Sequence, residues 1–367
     1  MATEAKKEPG IRRIIVPARL KPETASSWHS YLTIDLVVLA AQRTILNPFF
    51  AWALPLSLRA ITVPYEHLSL QLTIAYAALI TCYYIFTAID QRIAYGQSRE
   101  VELSSEVVVI TGGAGGLGLL LADFYRMNGA SVAIFDIKEP PTDGIQGIEF
   151  YKCDVGDAGQ VQAAAERIKA DIGTPTILIN NAAIMNGKSI LDLTPKDLEK
   201  TMRINLLSHY YTTQSFLPAM LASPNGGTIV TISSVLGHLG CAHLSDYTAS
   251  KAGLLAFHAS LRAELSLSTQ PGASSIKTIL VAPGQLGTSL FGGLKTPSTF
   301  LAPVVEPVQL AREIVRMVDA GDGGEVRMPV YAGWVPLLCA LPASVQGAVR
   351  RWAGMDGAMV EFARKMG

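Results

Sequence analysis

Apolar and polar positions along the chain fall into three regimes. Up to residue 30 polar positions dominate, and six Lys/Arg (Lys6, Lys7, Arg12, Arg13, Arg19, Lys21) face three Glu. The stretch lacks the early apolar core of a secretory signal and is read as uncleaved. Two greasy runs follow within residues 31–95. Thr44–Leu58 is apolar for about fifteen residues between Arg43 and Arg59 and carries Pro48 and Pro55, which suits a re-entrant or interfacial segment better than a full span. Leu68–Ile89 runs twenty-two residues without a charge, ends at Asp90-Gln91-Arg92 and holds Tyr76, Tyr83 and Tyr84. At 1.5 Å per residue it is about 33 Å long, enough to cross a hydrocarbon core, with tyrosines suited to the interface. If both runs enter and return through Val63-Pro-Tyr-Glu-His67, they form a hairpin, and the basic residues before it put both ends in the cytosol. Hydropathy leaves a hairpin and a single span open, and equally a bilayer and a lipid-droplet monolayer.

From Glu102 the pattern changes to short β-branched runs alternating with segments of helical period, which argues for a parallel sheet covered on both faces. Val107–Ile110, Ser131–Asp136, Glu149–Val155, Thr176–Ala183 and Gly227–Ser234 read as five strands, and Glu325–Val330 as the last. Leu119–Asn128, Asp157–Ile172, Pro195–Leu221, a segment opened by Tyr247, and Glu306–Ala320 read as helices. The run Tyr331–Pro342 is apolar but too short to span. The stretch with Arg350, Arg351, Trp352 and Arg364 reads either as an interfacial amphipathic piece or as a helix packed on the body. The expected organisation is a polar basic N-terminus (1–30), a membrane-anchoring region (31–95), a nucleotide-binding body (96–335) and an apolar, amphipathic tail (336–367).

Composition sharpens this. Hydrophobic residues make up 49% and charged residues only 16% of the 367, greasy enough to suggest membrane contact. Net charge is zero, which gives no steering toward nucleic acid. Cys82, Cys153, Cys241 and Cys339 are far apart, without metal or redox spacing, and read as free thiols. The six histidines have no partners at metal spacing, so no metal is expected; His238 and His243 are placed at the mouth of the site. No Asn-x-Ser/Thr sequon occurs, in keeping with a body that faces the cytosol.

The candidate chemistry begins at Thr111-Gly-Gly-Ala-Gly-Gly-Leu-Gly118, between a buried strand and a helix. Its backbone N–H groups and the helix N-terminus can receive a pyrophosphate, with Thr111, Gly112, Gly116, Leu117 and Gly118 forming the cradle. Asp136 ends the next strand about twenty residues on, the separation at which a carboxylate meets an adenosine ribose. Its charge repels a 2′-phosphate, so NAD is expected in preference to NADP, a preference that Lys138 weakens slightly. Asn180 and Asn181 close a strand, where they can brace the sheet and line a pocket. Asn205 interrupts an apolar helix face and is costly there without partners. Tyr247 and Lys251 lie four residues apart on one helical face.

In this order and spacing the residues resemble the short-chain dehydrogenase/reductase family over about residues 103–335. The matches are Thr111-Gly112-xxx-Gly116-x-Gly118, Asp154-Val155, Asn180-Asn181-Ala182-Ala183, Asn205, Ser234, Tyr247-xxx-Lys251 and Pro283-Gly284-xxx-Thr288. Ser234 is taken over Ser233 because the family's catalytic serine lies thirteen residues before the tyrosine. Ala183 departs from the usual glycine, which tightens the loop and removes no chemistry.

The resemblance implies an α/β, Rossmann-type doubly wound parallel sheet with helices on both faces, preceded here by the hydrophobic N-terminal membrane segment. It implies a catalytic set of Asn205, Ser234, Tyr247 and Lys251. Tyr247 exchanges the substrate proton, Ser234 holds the substrate oxygen, and Asn205 anchors a water that links Lys251 to solvent. A tyrosine of ordinary pKa near 10 is a poor base, and the cation of Lys251 should lower it. Asp154 and Val155 would contact adenine, Asn181 a ribose, and Lys251 the nicotinamide ribose, with Pro283, Gly284, Leu286 and Thr288 over the nicotinamide end. Ser289–Pro307 falls where the family has a mobile substrate lid, with Phe291, Leu294 and Phe300 lining a greasy pocket.

The whole plan looks most like the membrane-bound hydroxysteroid and retinol dehydrogenases of the endoplasmic reticulum and lipid droplets. The expectation is NAD-dependent oxidation of a lipophilic alcohol, a location on endoplasmic reticulum or lipid-droplet surfaces with the body in the cytosol, and a homodimer through the helices at 195–221 and 247–268. An NADPH-linked carbonyl reductase of the same fold and a non-catalytic nucleotide-binding scaffold on a lipid surface remain as alternatives.

Overall fold

Three helices precede the sheet in the computed structural model, which describes residues 32–141, 147–292, 294, 296, 298–355 and 357. The expected basic segment 1–30 and Arg364 lie outside the described residues. Helix α1 (Ile34–Arg43) starts at Thr33, whose hydroxyl accepts from Leu36 N–H, and α2 (Pro48–Ala60) at Asn47, whose side chain accepts from Phe49 N–H at 2.9 Å. Pro48 occupies the first turn of α2, where its missing N–H costs nothing. The two helices meet at 51°, so the first greasy run is a bent pair and not a straight span. Helix α3 (Leu68–Tyr95) continues six residues past the apolar run, through Asp90 and Arg92, until Gly96 at φ +75° ends it. Trp52 Nε1 donates to Thr81 Oγ1 at 2.9 Å and the Tyr76 hydroxyl to Ile45 O, fastening α2 and its N-terminal loop to α3.

The body follows as β1 (Val107–Thr111), α4 (Gly116–Met127), β2 (Ser131–Asp136), β3 (Ile148–Lys152), α5 (Ala158–Asp171) and β4 (Ile177–Asn180). Then come α6 (Pro195–Met202), α7 (Ser208–Ala222), β5 (Gly227–Ile232), α8 (Ser245–Leu267), β6 (Ile276–Val281), α9 (Pro307–Asp319) and β7 (Gly324–Val326). All seven strands are parallel in the order β3-β2-β1-β4-β5-β6-β7. Val108 and Ile110 of β1 meet α4 and α9 on one face; Val107 and Val109 meet the layer of α5, α7 and α8 on the other. Both faces are covered, which is why the strands read as unbroken apolar runs. The order reverses between β1 and β4, and the crevice past the carboxyl ends of those strands is where such sheets bind ligands.

Several boundaries differ from the sequence reading. The long helix over Pro195–Leu221 is three pieces, because Arg203–Leu207 makes one wider π turn around Asn205. Strand β6 has no counterpart in the sequence reading, because the buried Lys277 breaks its apolar run. The last strand stops at Val326, since Pro329 begins α10 (Val330–Cys339), which α11 (Ala343–Trp352) follows. The expected limit at 335/336 therefore falls inside α10.

The end of α3 is bonded to the body. Gln91 Nε2 donates to Gly323 O at 2.6 Å, Arg262 to Ala94 O at 3.0 Å, and Lys277 Nζ to Tyr95 O at 3.3 Å. Just beyond, Arg99 pairs with Glu106 at 2.9 Å, with side chains 3% and 6% exposed, and donates to Thr228 Oγ1 at 3.0 Å.

Candidate active site

The glycine turn is shaped by contacts that exclude side chains. Gly112 has φ +65° and Gly116 φ +55°, a region glycine enters freely. A Cβ on Gly118 would lie 2.2 Å from Gly112 O and 2.7 Å from Asn181 Nδ2, so α4 starts this close to β1 only with glycine there. Asn181 straps the turn: its Nδ2 donates to Thr111 O at 3.0 Å and Gly112 O at 3.1 Å. Thr111 Oγ1 accepts from the backbone N–H groups of Asn181 and Ala182 at 2.9 and 3.1 Å. Helix α4 has Gly115 as its cap, with no side chain over its first N–H groups. A cradle that a Cβ would fill, at the switch point of the sheet and at an uncapped helix N-terminus, fits a dinucleotide pyrophosphate.

Asp136 ends β2 beside this turn, its Oδ2 accepting from Ala114 N–H at 3.0 Å and its Oδ1 from Lys138 N–H at 3.1 Å. The carboxylate thus borders the glycine turn. Asp154 lies past β3, accepts from Gly156 N–H at 2.9 Å and meets Arg203 at 3.5 Å, while Val155 is buried next to it. Thr288 closes the other side, since a Cβ on Gly116 would stand 3.9 Å from its methyl group. Leu286 is buried and bridges Val305, and Pro283 O accepts from Val235 N–H at 3.0 Å and the Ser234 hydroxyl at 3.4 Å.

Ser234, Tyr247 and Lys251 meet on the floor between these walls. All three are buried, at 4%, 3% and 1% exposure. The Tyr247 hydroxyl is hydrogen-bonded to Ser234, its ring stands edge-on to Phe291 at 6.4 Å, and Lys251 Nζ lies 5.7 Å from the ring centre. Lys251 Nζ donates to Ile232 O at 2.8 Å. Asn205 does not touch Tyr247. Its Oδ1 accepts from Ile184 N–H at 2.8 Å, and its Nδ2 donates to Ile184 O at 2.9 Å and Ser250 Oγ at 3.1 Å. The expected cost of burying Asn205 is met in full by these bonds, and Ser250 in turn donates to Tyr247 O at 2.7 Å. Asn205 is thereby linked through Ser250 to the Tyr247 backbone, and Tyr247 through its hydroxyl to Ser234.

Burial governs the protonation of this floor. It pushes the Tyr247 phenol well above its ordinary range, with the Ser234 hydrogen bond acting the other way. Burial also brings the Lys251 amine down to about 7. The depression of Tyr247 expected from Lys251 is not found: burial raises the phenol, and the cause that opposes it is the Ser234 hydrogen bond.

Three supports, Asp246, His209 and His258, have no counterpart in the sequence reading, while His243 is read there at the mouth of the site. Asp246, buried directly before Tyr247, accepts from Asn186 Nδ2 at 2.7 Å and the Thr201 hydroxyl at 2.9 Å, fixing the start of α8. His243 stands at φ +60°, a rare conformation for a residue with a side chain, two residues before that helix. His209 and His258 are buried in the layer under Lys251, and burial brings His258 down to about 4. An acidic residue in the first turn of α8 was the available signal for Asp246; His209 and His258 gave none.

The body that carries this site is similar to known proteins. The short chain dehydrogenase family profile matches residues 106–297. An uncharacterized oxidoreductase of Saccharomyces cerevisiae is 33% identical over 252 residues, covering 68% of this chain and 82% of that protein. Epidermal retinol dehydrogenase 2 of Mus musculus is 35% identical over 222 residues, 58% of this chain and 71% of that one. A short-chain dehydrogenase from Burkholderia cenocepacia, solved in complex with NADP, superposes with a TM-score of 0.56 at 24% identity over 69% of this chain and 99% of that one.

Proposed function

Because the chain belongs to the short-chain dehydrogenase family of NAD(P)-dependent oxidoreductases, we propose that it moves a hydride between NAD(H) and a lipophilic alcohol or its carbonyl partner, of sterol, retinoid or long-chain lipid type, at a lipid surface. The observation that carries this reading is the buried contact of Ser234, Tyr247 and Lys251 beside the glycine turn. Thr111–Gly118 hold the pyrophosphate, Asp136 the adenosine ribose, and Asp154 and Val155 flank the adenine. Asn181 holds the turn by its amide and so acts on the ribose side through the backbone. Pro283, Gly284, Leu286 and Thr288 wall the nicotinamide end. When bound, the nicotinamide supplies or accepts the hydride.

The side chains of this chain carry the proton. Ser234 donates a hydrogen bond to the substrate oxygen and holds it beside the Tyr247 hydroxyl. In oxidation the alcohol proton passes to Tyr247 Oη in its deprotonated form as the C–H hydride leaves; in reduction the protonated Tyr247 gives its proton to the new alkoxide oxygen. Lys251 keeps its amine beneath the ring and steadies negative charge on Oη when protonated. Asn205 fixes the loop after β4 to α8 through Ile184 and Ser250 and anchors the water that links Lys251 to solvent.

Asp136 supports NAD over NADP, since its charge faces the place of a 2′-phosphate. Phe291 and Leu286 give the pocket an apolar wall, and relatives named retinol dehydrogenases support a lipophilic substrate. Helix α3 is apolar and long enough to cross a membrane, and Leu72, Leu79 and Phe86 lie exposed on it. Residues 31–95 are read as the anchor to endoplasmic reticulum or lipid-droplet surfaces, 96–335 as the cytosolic body, and 336–367 as an interfacial tail with Leu337 and Trp352 exposed. The groove between α7 and α8, with exposed Tyr210, is the face for a homodimer.

The test is a panel of lipid alcohols and ketones with purified full-length protein, followed by NADH formation or consumption. Tyr247→Phe should abolish turnover and leave cofactor binding intact; full turnover by that variant with a confirmed substrate refutes the reading.

A further inference from the structure

The N-terminal apolar region reaches the reaction side of the molecule through α1. Ile34 N–H donates to Phe300 O at 2.9 Å, and Asp35 Oδ1 accepts from Val330 N–H at 2.6 Å, 295 positions away in sequence. Val330 is the first residue of α10, whose own cap, Pro329, offers no side-chain acceptor. Asp35 therefore supplies the missing cap from another element, satisfying an orphan donor and setting a carboxylate at the positive end of a ten-residue helix. Its second oxygen is buried without a partner, so the group is packed in place.

Helix α10 is in turn built into the site. The Tyr331 hydroxyl accepts from Gln285 N–H and lies so close to Gly284 that any side chain there would overlap it. Ala332 and Val335 form one apolar cluster with Val235 and Leu239, just after Ser234. Gln285 also carries the loop after β6: its carbonyl accepts from Val305 N–H at 2.9 Å and its side chain donates to Leu294 O at 2.9 Å. The path from Asp35 to Ser234 is continuous, through Val330, Tyr331, Gly284 and Pro283 O.

We propose that Asp35 is a positioning residue: by capping α10 it holds Tyr331 against Gly284 and Gln285 and so keeps the Ser234 loop and the substrate-side loop in place. The first apolar helix is then a working part of the site as well as a tether. The effect on turnover rests on the oxidoreductase reading above, while the effect on the two loops stands apart from it.

The experiment compares wild type, Asp35→Ala and Asp35→Asn as full-length protein in detergent micelles. Hydrogen–deuterium exchange is followed in peptides covering 232–239, 298–306 and 328–339, with the β1–β2 peptides as a check on the fold. Asparagine keeps an oxygen in the place of Oδ1. Asp35→Ala should exchange about tenfold faster in all three peptides, the effect of losing a charged cap, and Asp35→Asn should stay within about threefold of wild type. With an active substrate, Asp35→Ala should raise KM about fivefold or more without weakening NAD(H) binding, and Asp35→Asn should restore it. Unchanged exchange at 232–239 and 298–306 in Asp35→Ala overturns the proposal, and so does faster exchange with KM and kcat both unchanged. Absence of turnover on every alcohol and ketone strikes the oxidoreductase reading instead, and the exchange data still decide the role of Asp35.

Discussion

Gly118→Ala is the sharpest test of the turn, because two effects of known size oppose each other. Gly118 sits in the first turn of α4, and glycine to alanine inside a helix ordinarily stabilises by about 0.8–1 kcal/mol. Here the added methyl would stand 2.2 Å from Gly112 O and 2.7 Å from Asn181 Nδ2, both far inside contact distance. Relief requires the turn to move away from α4, which strains the bonds from Asn181 to Thr111 O and Gly112 O, each worth about 0.5–1.5 kcal/mol. Overpacking of this kind adds about 1–3 kcal/mol. The unfavourable side wins, and the variant should lose about 1–3 kcal/mol, a fall in Tm of about 3–10 °C for a body of this size. The same displacement should weaken NADH binding about tenfold or more, since the N–H groups that face the pyrophosphate move with the turn. Gly115→Ala is the control: no atom lies within 4 Å of its would-be Cβ and its φ of −165° suits any residue, so Tm should move by less than about 2 °C. Scanning fluorimetry and NADH titration read both variants. A Gly118→Ala protein that melts at or above wild type refutes the turn geometry.

Other expectations follow from the charges. Asp136→Ala should shift the ratio of NADP to NAD affinity toward NADP by about tenfold or more, 1.4 kcal/mol; an equal loss for both cofactors would remove the carboxylate as discriminator. Arg99→Met leaves Glu106 buried and unpaired and should cost about 3–5 kcal/mol in urea unfolding. Arg316→Ala, in an exposed pair with Glu313, should cost under about 1 kcal/mol, and equal losses for the two would refute the distinction. Lys251 has a folded pKa of about 7 against 10.5 for a free lysine, so the unfolded chain binds more protons between those values. Its contribution to stability is complete above pH 10.5 and is lost as pH falls toward 7. The urea midpoint of cofactor-free protein should therefore rise across that window, and Lys251→Met should flatten the rise.

The parallel body was legible because its strands are buried on both faces and carry their periodicity openly. Ser131–Asp136 and the start of β5 at Gly227 are placed as read, and the residues of the site converge because the family spacing encodes the same switch point. What local patterns could not carry is tertiary. The amine of Lys277 bonds to Tyr95 O, so a charge sits in a buried strand that composition hides. Val330 reads as the end of a strand by its neighbours, yet Pro329 and the distant Asp35 make it the start of a helix. Asn181 was legible as a site residue, but its use as a strap across the glycine turn depends on two carbonyls about seventy positions earlier. The protonation of Tyr247 and Lys251 depends on burial, which spacing on a helix does not report.

The bonds from Gln91, Ala94 and Tyr95 to the body make α3 a keyed shaft. On the membrane reading, every residue added to or removed from its apolar run turns the body by about 100° and moves it by about 1.5 Å along the axis. Three or four residues restore the facing and change only the height; two would turn the body to the opposite side. The length of an otherwise featureless greasy segment is thereby subject to a phase condition, set by the direction in which the enzyme must look.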